Sequence, residues 1–178
     1  MKEVARYHPA LVALHWLLAA LILAMIALGL FLTHVMPDAD PSKIGVLRLH
    51  MVAGIVILVL MLARLVVRLV TAKPAPATTG MPALDRLATL GHYAFYALVL
   101  LMVASALLTA TSSGLNLIVF GASAAPMPPN LAIYPAFVVH VAVALLLAAL
   151  IVLHVLAAAW HRLVRGDDVL RRMSFGDR

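Results

Sequence analysis

Four long apolar segments, separated by short stretches rich in proline, glycine and charged residues, dominate the hydrophobic pattern of this chain. They cover approximately residues 11–32, 46–70, 87–110 and 133–160. About 20 apolar residues in a helix are enough to cross the roughly 30 Å hydrocarbon core of a bilayer. The pattern therefore predicts an all-α fold, with four transmembrane helices running alternately up and down as one bundle over residues 1–178.

The composition supports a membrane protein. Mean hydropathy is +1.10, and charged residues make up 11% of the chain, against about 25% in a typical soluble domain. No Asp, Glu, Lys or Arg occurs between residues 87 and 161. The first apolar segment resembles a signal peptide, but its 22 residues exceed the usual apolar region and no clear cleavage site follows. We therefore expect it to be retained as the first helix.

The cations predict the orientation. Eleven fall on one side of the predicted bundle: Lys2, Arg6, Arg64, Arg68, Lys73, Arg86, Arg162, Arg165, Arg171, Arg172 and Arg178. Two, Lys43 and Arg48, fall on the other. By the positive-inside rule, both termini are predicted to be cytoplasmic in a multi-pass protein of a bacterial inner membrane. Because the cations flank apolar segments, the net charge of +6 indicates a lipid bilayer and not nucleic acid as the partner.

The chain contains no cysteine, which excludes thiolate catalysis, iron–sulfur ligation and covalent haem attachment. Its candidate chemistry lies in eight histidines. His15 and His154 fall near the predicted cytoplasmic ends of their helices, and His50 and His140 near the opposite ends. His140 and His154 lie about 21 Å apart along one helix, within about 40° of one face. Pairs of imidazoles bind haem iron axially, so these pairs predict the ligands of two haem b groups.

Other interpretations of these histidines stay open. Each of the four is compatible with a core histidine hydrogen-bonded to backbone or hydroxyl groups. Zinc is disfavoured because no carboxylate or cysteine accompanies the pairs. His92 lies at about the depth of His15, so spacing alone does not decide which of them faces His154.

Several short motifs resemble one family. They are Leu-His-Trp at residues 14–16, Leu-His-Met-Val-Ala-Gly at 49–54 continuing to Arg64 and Arg68, Leu-Gly-His at 90–92, Leu-His at 153–154 followed by His161, and Asp-Asp-Val-Leu-Arg-Arg-Met at 167–173. Together they resemble the bacterial cytochrome b561 family of two-haem, four-helix membrane cytochromes, which includes superoxide oxidase. The resemblance implies that the first, second and fourth helices supply the haem ligands as paired above. It also implies that His92 stays free and that ubiquinone accepts or donates electrons near the cytoplasmic haem.

Two further histidines are candidates for catalysis. His92 and His161 lie near the predicted cytoplasmic haem, where either can hydrogen-bond a quinone carbonyl or relay protons. For His161 the alternative is an interfacial histidine beside Trp160. His8 and His34 are predicted to lie at the interfaces.

Three arginines are candidates for binding the cofactors. Arg64 and Arg68 are placed to pair with haem propionates or, alternatively, to extend their charges to water as membrane anchors. Arg48 is predicted to pair with a propionate of the haem on the other side. Together with Lys43 it is expected to attract a small anion such as superoxide, an attraction that the neighbouring aspartates weaken.

Three functions follow from these patterns. The first is a two-haem oxidoreductase that transfers electrons between a periplasmic donor, superoxide or a redox protein, and ubiquinone. The second is a cytochrome b subunit that anchors a periplasmic dehydrogenase or hydrogenase, since related subunits share the spacing of His140 and His154. The third is a haem-free, histidine-lined transporter of protons or metal ions.

Overall fold

The computed structural model describes residues 4–176, and its regular elements are all helical. In chain order they are α1 (Pro9–His34), α2 (Lys43–Val70), α3 (Pro82–Ser112), α4 (Leu115–Val119), a 3₁₀ turn (Leu131–Ile133), α5 (Pro135–Leu163) and α6 (Val169–Arg172). Helices α1, α2, α3 and α5 are long and apolar enough to cross a membrane. The predicted all-α bundle with four spanning helices is therefore confirmed. The orienting cations Lys2 and Arg178 lie outside the described residues.

Each long helix extends beyond its predicted apolar segment at one end or at both. Helix α3 begins at Pro82, five residues before the predicted start, because proline is favoured in the first helical turn. The Asp85 side chain also accepts hydrogen bonds from the Thr79 backbone and hydroxyl and holds the chain just before that start. Helix α5 begins at Pro135, two residues from the approximate predicted start, because the chain before it forms the 3₁₀ turn. Hydrophobicity marks the part of a helix that lies in lipid, whereas proline and capping residues set its ends.

The long helices pack as two hairpins. Helix α1 lies against α2 and α3 against α5, with α2 and α3 joining the hairpins. Close backbone approaches between α5 and either helix of the first hairpin are scarce. The helices are therefore more widely spaced on the side where α5 faces α1 and α2. We call this wider spacing the gap, and side chains from those helices meet across it.

One apolar layer closes the middle of the bundle. Its buried members come from all four long helices: Leu18, Ile57, Met61, Val99 and Leu147. Leu147 is seven residues from each histidine of α5, or about 10 Å along the helix in either direction. The layer therefore separates the bundle interior into two compartments, each with its own histidines. Large apolar side chains such as Leu145, Leu146 and Leu156 point outward, as expected of helices that contact lipid.

Helices α1 and α3 begin at the same end of the bundle at which α2 and α5 end. We call this the basic end, and the other the opposite end. Here the end of α6 and the residue after it are bound to the start of the chain: the Trp16 indole N–H donates to the Met173 carbonyl at 2.9 Å, and the Tyr7 amide donates to the Arg172 carbonyl at 3.1 Å. Both ends of the described chain therefore lie on one side of the bundle. Which side faces the cytoplasm stays a prediction.

Candidate functional site

Two pairs of half-buried histidines face each other inside the bundle. The ring centroids of His15 and His154 are 6.2 Å apart at the basic end. Those of His50 and His140 are 6.3 Å apart at the opposite end. Two imidazoles that bind one metal ion from opposite sides have centroids about 6.2 Å apart, given metal–nitrogen bonds of about 2.0 Å and about 1.1 Å from nitrogen to ring centre. Both pairs have this separation.

Helix packing indicates whether His15 or His92 is the partner of His154. His92 is also close to His154, with 5.8 Å between ring centroids. However, His92 is on α3, which packs directly against α5, whereas His15 is on α1, across the gap. A flat cofactor needs space between the helices that ligate it, and His50 on α2 also meets His140 across that gap. The packing therefore favours His15 over His92 as the partner of His154.

Hydrogen bonding orients the His140 ring. Its Nδ1 lies 3.1 Å from the Met102 carbonyl oxygen of α3. A carbonyl only accepts hydrogen bonds, so Nδ1 carries the proton and the lone pair is on Nε2. A metal-binding histidine commonly has this arrangement, with one ring nitrogen donating to a carbonyl and the other facing the metal.

The environment of His50 differs. Within residues 4–176, its Nδ1 is a buried polar atom without a hydrogen-bond partner. A buried polar atom left unpaired is costly, so His50 does not fit the alternative of a core histidine satisfied through both ring nitrogens. Gly29 of α1 lies beside this ring, and a Cβ atom there would be 3.6 Å from His50 Cε1. The ring is therefore not covered by a side chain at that position.

The donor set fits haem better than a lone metal ion. In the described part of the chain, no group of three or more His, Cys, Asp or Glu side chains converges on a point where it could hold a metal ion. A structural or catalytic zinc site needs at least three protein ligands. An axially ligated haem needs two, and two imidazoles are present at each level.

Comparison with known proteins identifies the family. Residues 6–176 match the family described as prokaryotic cytochrome b561. The chain belongs to this family. It is also 30% identical to cytochrome b561 homolog 2 of Escherichia coli (strain K12) over 173 residues, which cover 94% of this chain and 90% of the relative. The cytochrome b561 chain is thus a multi-pass membrane b-type cytochrome that binds haem b and takes part in electron transfer.

Aromatic rings of α3 hold His154 in this cytochrome b561. His92 and Phe95, three residues apart on α3, lie 5.8 and 5.4 Å from the His154 ring, with interplanar angles of 89° and 84°. Residues three apart share one face of a helix, so both rings contact His154 from the same side. His92 Nδ1 donates to the Ala88 carbonyl at 2.7 Å, leaving its Nε2 as an acceptor.

Arg64 is inside the bundle. Its side chain is on α2, the residue is 8% exposed, and its guanidinium donates to the Tyr96 hydroxyl of α3 and lies over that ring. This burial excludes the alternative in which Arg64 extends its charge to water. Arg68, one turn later, is half-buried. The electrostatic neighbours of Arg64 include His15, His92 and His154.

His161 pairs with a carboxylate at the basic end. Its Nδ1 donates to Asp167 Oδ2 at 2.6 Å, and Arg165 Nε is 3.6 Å from the same oxygen. The chain reverses after α5 through Gly166, whose φ of 67° lies in the left-handed region that glycine readily adopts. The hydrogen bond from His161 is the main cause of the lowered pKa of Asp167. Asp167 is therefore ionised at neutral pH, and His161 contacts both this carboxylate and the Trp160 ring.

The cations of the opposite end differ from expectation. Lys43 is 9% exposed, forms a salt bridge with Asp38 and donates to the Met36 carbonyl. It is therefore wrong to count Lys43 as an exposed charge that attracts anions, because Asp38 neutralises it. Arg48 is exposed, and its Nε donates to the Val119 carbonyl at the end of α4 at 2.8 Å.

Three α3 side chains near the histidines are absent from the candidates that the sequence indicates: Phe95, Tyr96 and Ser105. Tyr96 follows His92 by four residues and therefore shares its helix face, which is an available signal. Ser105 is a small polar residue in an apolar span, but serines of membrane helices often bond only to their own backbone. The contact of Ser105 with a histidine depends on how α3 and α5 pack.

Proposed function

We propose that this cytochrome b561 holds two haem b groups and transfers electrons across the membrane between a donor at the opposite end and ubiquinone at the basic end. His15 and His154 bind one haem, and His50 and His140 bind the other. The basic end, with most of the cations, is the cytoplasmic side of a bacterial inner membrane. Haem b supplies one-electron transfer when bound.

The observation that carries the proposal is the matched separation of the two histidine pairs, 6.2 and 6.3 Å, on either side of the apolar layer. One pair alone is compatible with a satisfied core histidine and its neighbour. Two pairs at one separation, both across the same gap, indicate two flat cofactors at two depths. The apolar layer excludes water between them, which favours electron transfer over proton conduction and speaks against a histidine-lined transporter.

Two histidines are placed to serve quinone at the basic end. His92 offers Nε2 as an acceptor or, when protonated, as a donor beside His154. His161 donates from Nδ1 to the ionised Asp167, which leaves its Nε2 as the ring nitrogen that can exchange a proton with water or quinone. We propose that His92 contacts the quinone and that His161 moves protons between that site and water.

The donor at the opposite end is proposed to be superoxide. Electrostatic attraction of this anion depends chiefly on Arg48, since Lys43 is neutralised by Asp38. That neutralisation favours a second candidate, in which a periplasmic redox protein delivers the electrons and the chain is its membrane subunit. Reduction of ubiquinone by the purified chain with superoxide alone separates the two functions.

The first test is haem content. We expect the purified protein to be red and to contain two haems per chain, both extractable by acid acetone because the chain has no cysteine for covalent attachment. Pyridine haemochrome absorbance relative to protein concentration measures this ratio. A colourless protein contradicts the proposal, and one haem per chain contradicts the assignment of two ligand pairs.

A second prediction concerns His92. We expect His92→Ala to keep both haems but to lower the rate of ubiquinone reduction about 10²-fold or more, because positioned acid–base groups contribute about 10²–10⁴-fold. Stopped-flow reoxidation of the reduced protein by ubiquinone measures this rate. Reoxidation by ferricyanide, which needs no proton, should be unchanged. Loss of a haem from His92→Ala together with full retention in His15→Ala would show that α3 supplies the ligand.

A further inference from the structure

Helix α3 contacts the α5 histidine at both levels, although neither pair takes a member from α3. At the basic end His92 and Phe95 contact the His154 ring edgewise. At the opposite end the contact is polar: His140 donates from Nδ1 to the Met102 carbonyl. These contacts fix each α5 imidazole from behind, on the side away from the gap. Only the contact at His140 is a hydrogen bond that can change the electronic character of the ring.

Ser105 takes part in that hydrogen bond. It is 3% exposed, its Oγ–H donates to the same Met102 carbonyl at 2.9 Å, and its Oγ is 3.4 Å from His140 Nδ1. The serine and the imidazole therefore share one acceptor. A carbonyl oxygen has two lone pairs, and this one also lies within an α-helix whose backbone it serves. Each hydrogen bond that the Met102 carbonyl oxygen accepts weakens the other hydrogen bonds to the same oxygen.

We propose that Ser105 is a positioning residue that tunes His140 through the Met102 carbonyl. Because the Ser105 hydroxyl also donates to the Met102 carbonyl, the hydrogen bond from His140 Nδ1–H to that carbonyl is weaker. A weaker hydrogen bond at Nδ1 makes the imidazole less electron-rich. An outer partner that accepts a stronger hydrogen bond makes a metal-binding histidine more basic, and a more basic ligand favours the oxidised iron. Ser105 thus keeps the reduction potential of the opposite-end haem higher than the carbonyl alone would.

His50, the other histidine of this pair, has no comparable hydrogen bond in the described part of the chain that could adjust its basicity. His50 Nδ1 has no hydrogen-bond partner within residues 4–176, so His140 is the ligand of that pair whose basicity the protein adjusts. The inference rests on the proposed function, in that His140 must bind a haem for its basicity to matter. The consequence is specific to one of the two haems.

Ser105→Ala tests the proposal, with Ser105→Thr and Ser112→Ala as matched variants. Alanine removes the hydroxyl without disturbing the helix, and threonine restores it. Ser112 lies on the same helix and also donates to a carbonyl of its own helix, at 2.6 Å, but it is exposed. We expect Ser105→Ala to lower the midpoint potential of one haem and leave the other unchanged. Ser105→Thr and Ser112→Ala should match the parent protein in spectroelectrochemical measurements.

Other outcomes overturn the inference. They are no change in Ser105→Ala, a rise in potential, an equal change at both haems, or the same change in Ser112→Ala. Measuring the haem content of the Ser105→Ala and His140→Ala proteins shows whether the role of Ser105 or the proposed function is wrong. If His140→Ala keeps both haems, the ligand assignment is wrong. If His140→Ala loses one haem and Ser105→Ala does not lower its potential, only the role of Ser105 is wrong.

Discussion

Replacing His140 with alanine is expected to leave one haem per chain, and replacing His154 is expected to remove the other. Each histidine faces its partner at the separation that one bridging metal ion requires, and alanine has no nitrogen to bind it. The two variants should lose different spectral components, because the lost haems lie on opposite sides of the apolar layer. Haemochrome stoichiometry and low-temperature absorption spectra of the α band measure both results.

Two controls test whether haem loss is specific to the proposed ligands. His34 is exposed at the end of α1, so His34→Ala should keep both haems and show that loss is not a general effect of removing a histidine. His140→Gly leaves room for free imidazole, and adding imidazole should restore the missing component. The ligand assignment fails if His140→Ala and His154→Ala lose the same component, or if either retains both.

Replacing Arg64 with glutamine is expected to loosen the haem at the basic end and to lower its midpoint potential. Arg64 is buried, and within residues 4–176 no carboxylate is at salt-bridge distance from it. A buried unpaired charge is strongly unfavourable, so we propose that a carboxylate of the bound haem pairs with Arg64. A charge-assisted hydrogen bond contributes about 1.5–3 kcal/mol, which corresponds to about 10- to 150-fold faster transfer of haem to apomyoglobin.

The sign of the potential change follows from charge. A nearby cation stabilises the reduced iron, which carries one positive charge fewer, so removing it favours oxidation. Arg64→Lys keeps the charge but loses the planar fork that binds carboxylates, and we expect a smaller change in potential with measurable loosening. Arg68→Gln, one turn away and half-buried, serves as the matched control and should have the lesser effect on both quantities. An Arg64→Gln protein with unchanged haem retention and potential excludes the pairing.

The number of spanning helices and the approximate depth of each histidine are predictable from the sequence. Both follow from local rules: a bilayer demands long apolar runs, and each helical residue adds about 1.5 Å. Counting from the helix ends places His15 and His154 at one level and His50 and His140 at another. The structure brings those residues together as pairs. Their role as haem ligands stays a prediction for haem analysis to test.

Depth alone does not distinguish His15 from His92. Both lie at the level of His154, and their ring distances to it, 6.2 and 5.8 Å, are also similar. What separates them is that α3 packs against α5 whereas α1 faces it across the gap. That difference depends on which helices form hairpins. Hydrophobicity does not indicate this in a membrane protein, because the residues that face lipid and those that face protein are both apolar.

The charges show the same limit. Counting cations on each side requires only the order of the segments, but the state of each cation depends on its neighbours in space. The sequence predicts an exposed Lys43, whereas the turn before α2 brings Asp38 to it. For Arg64 the sequence leaves two interpretations open, a partner of a haem propionate or a membrane anchor with its charge in water. Its burial against Tyr96 favours the first, in which the charge lies inside the bundle.

The sequence by itself thus determined that this chain is a four-helix membrane protein with histidines at two depths, because hydrophobicity and helical rise act along the chain. Only the tertiary structure decided which side chains meet. The gap beside α5, the Arg64–Tyr96 contact and the carbonyl shared by Ser105 and His140 all arise between helices distant in sequence. Their geometry follows from how whole helices pack, and no local pattern specifies that packing.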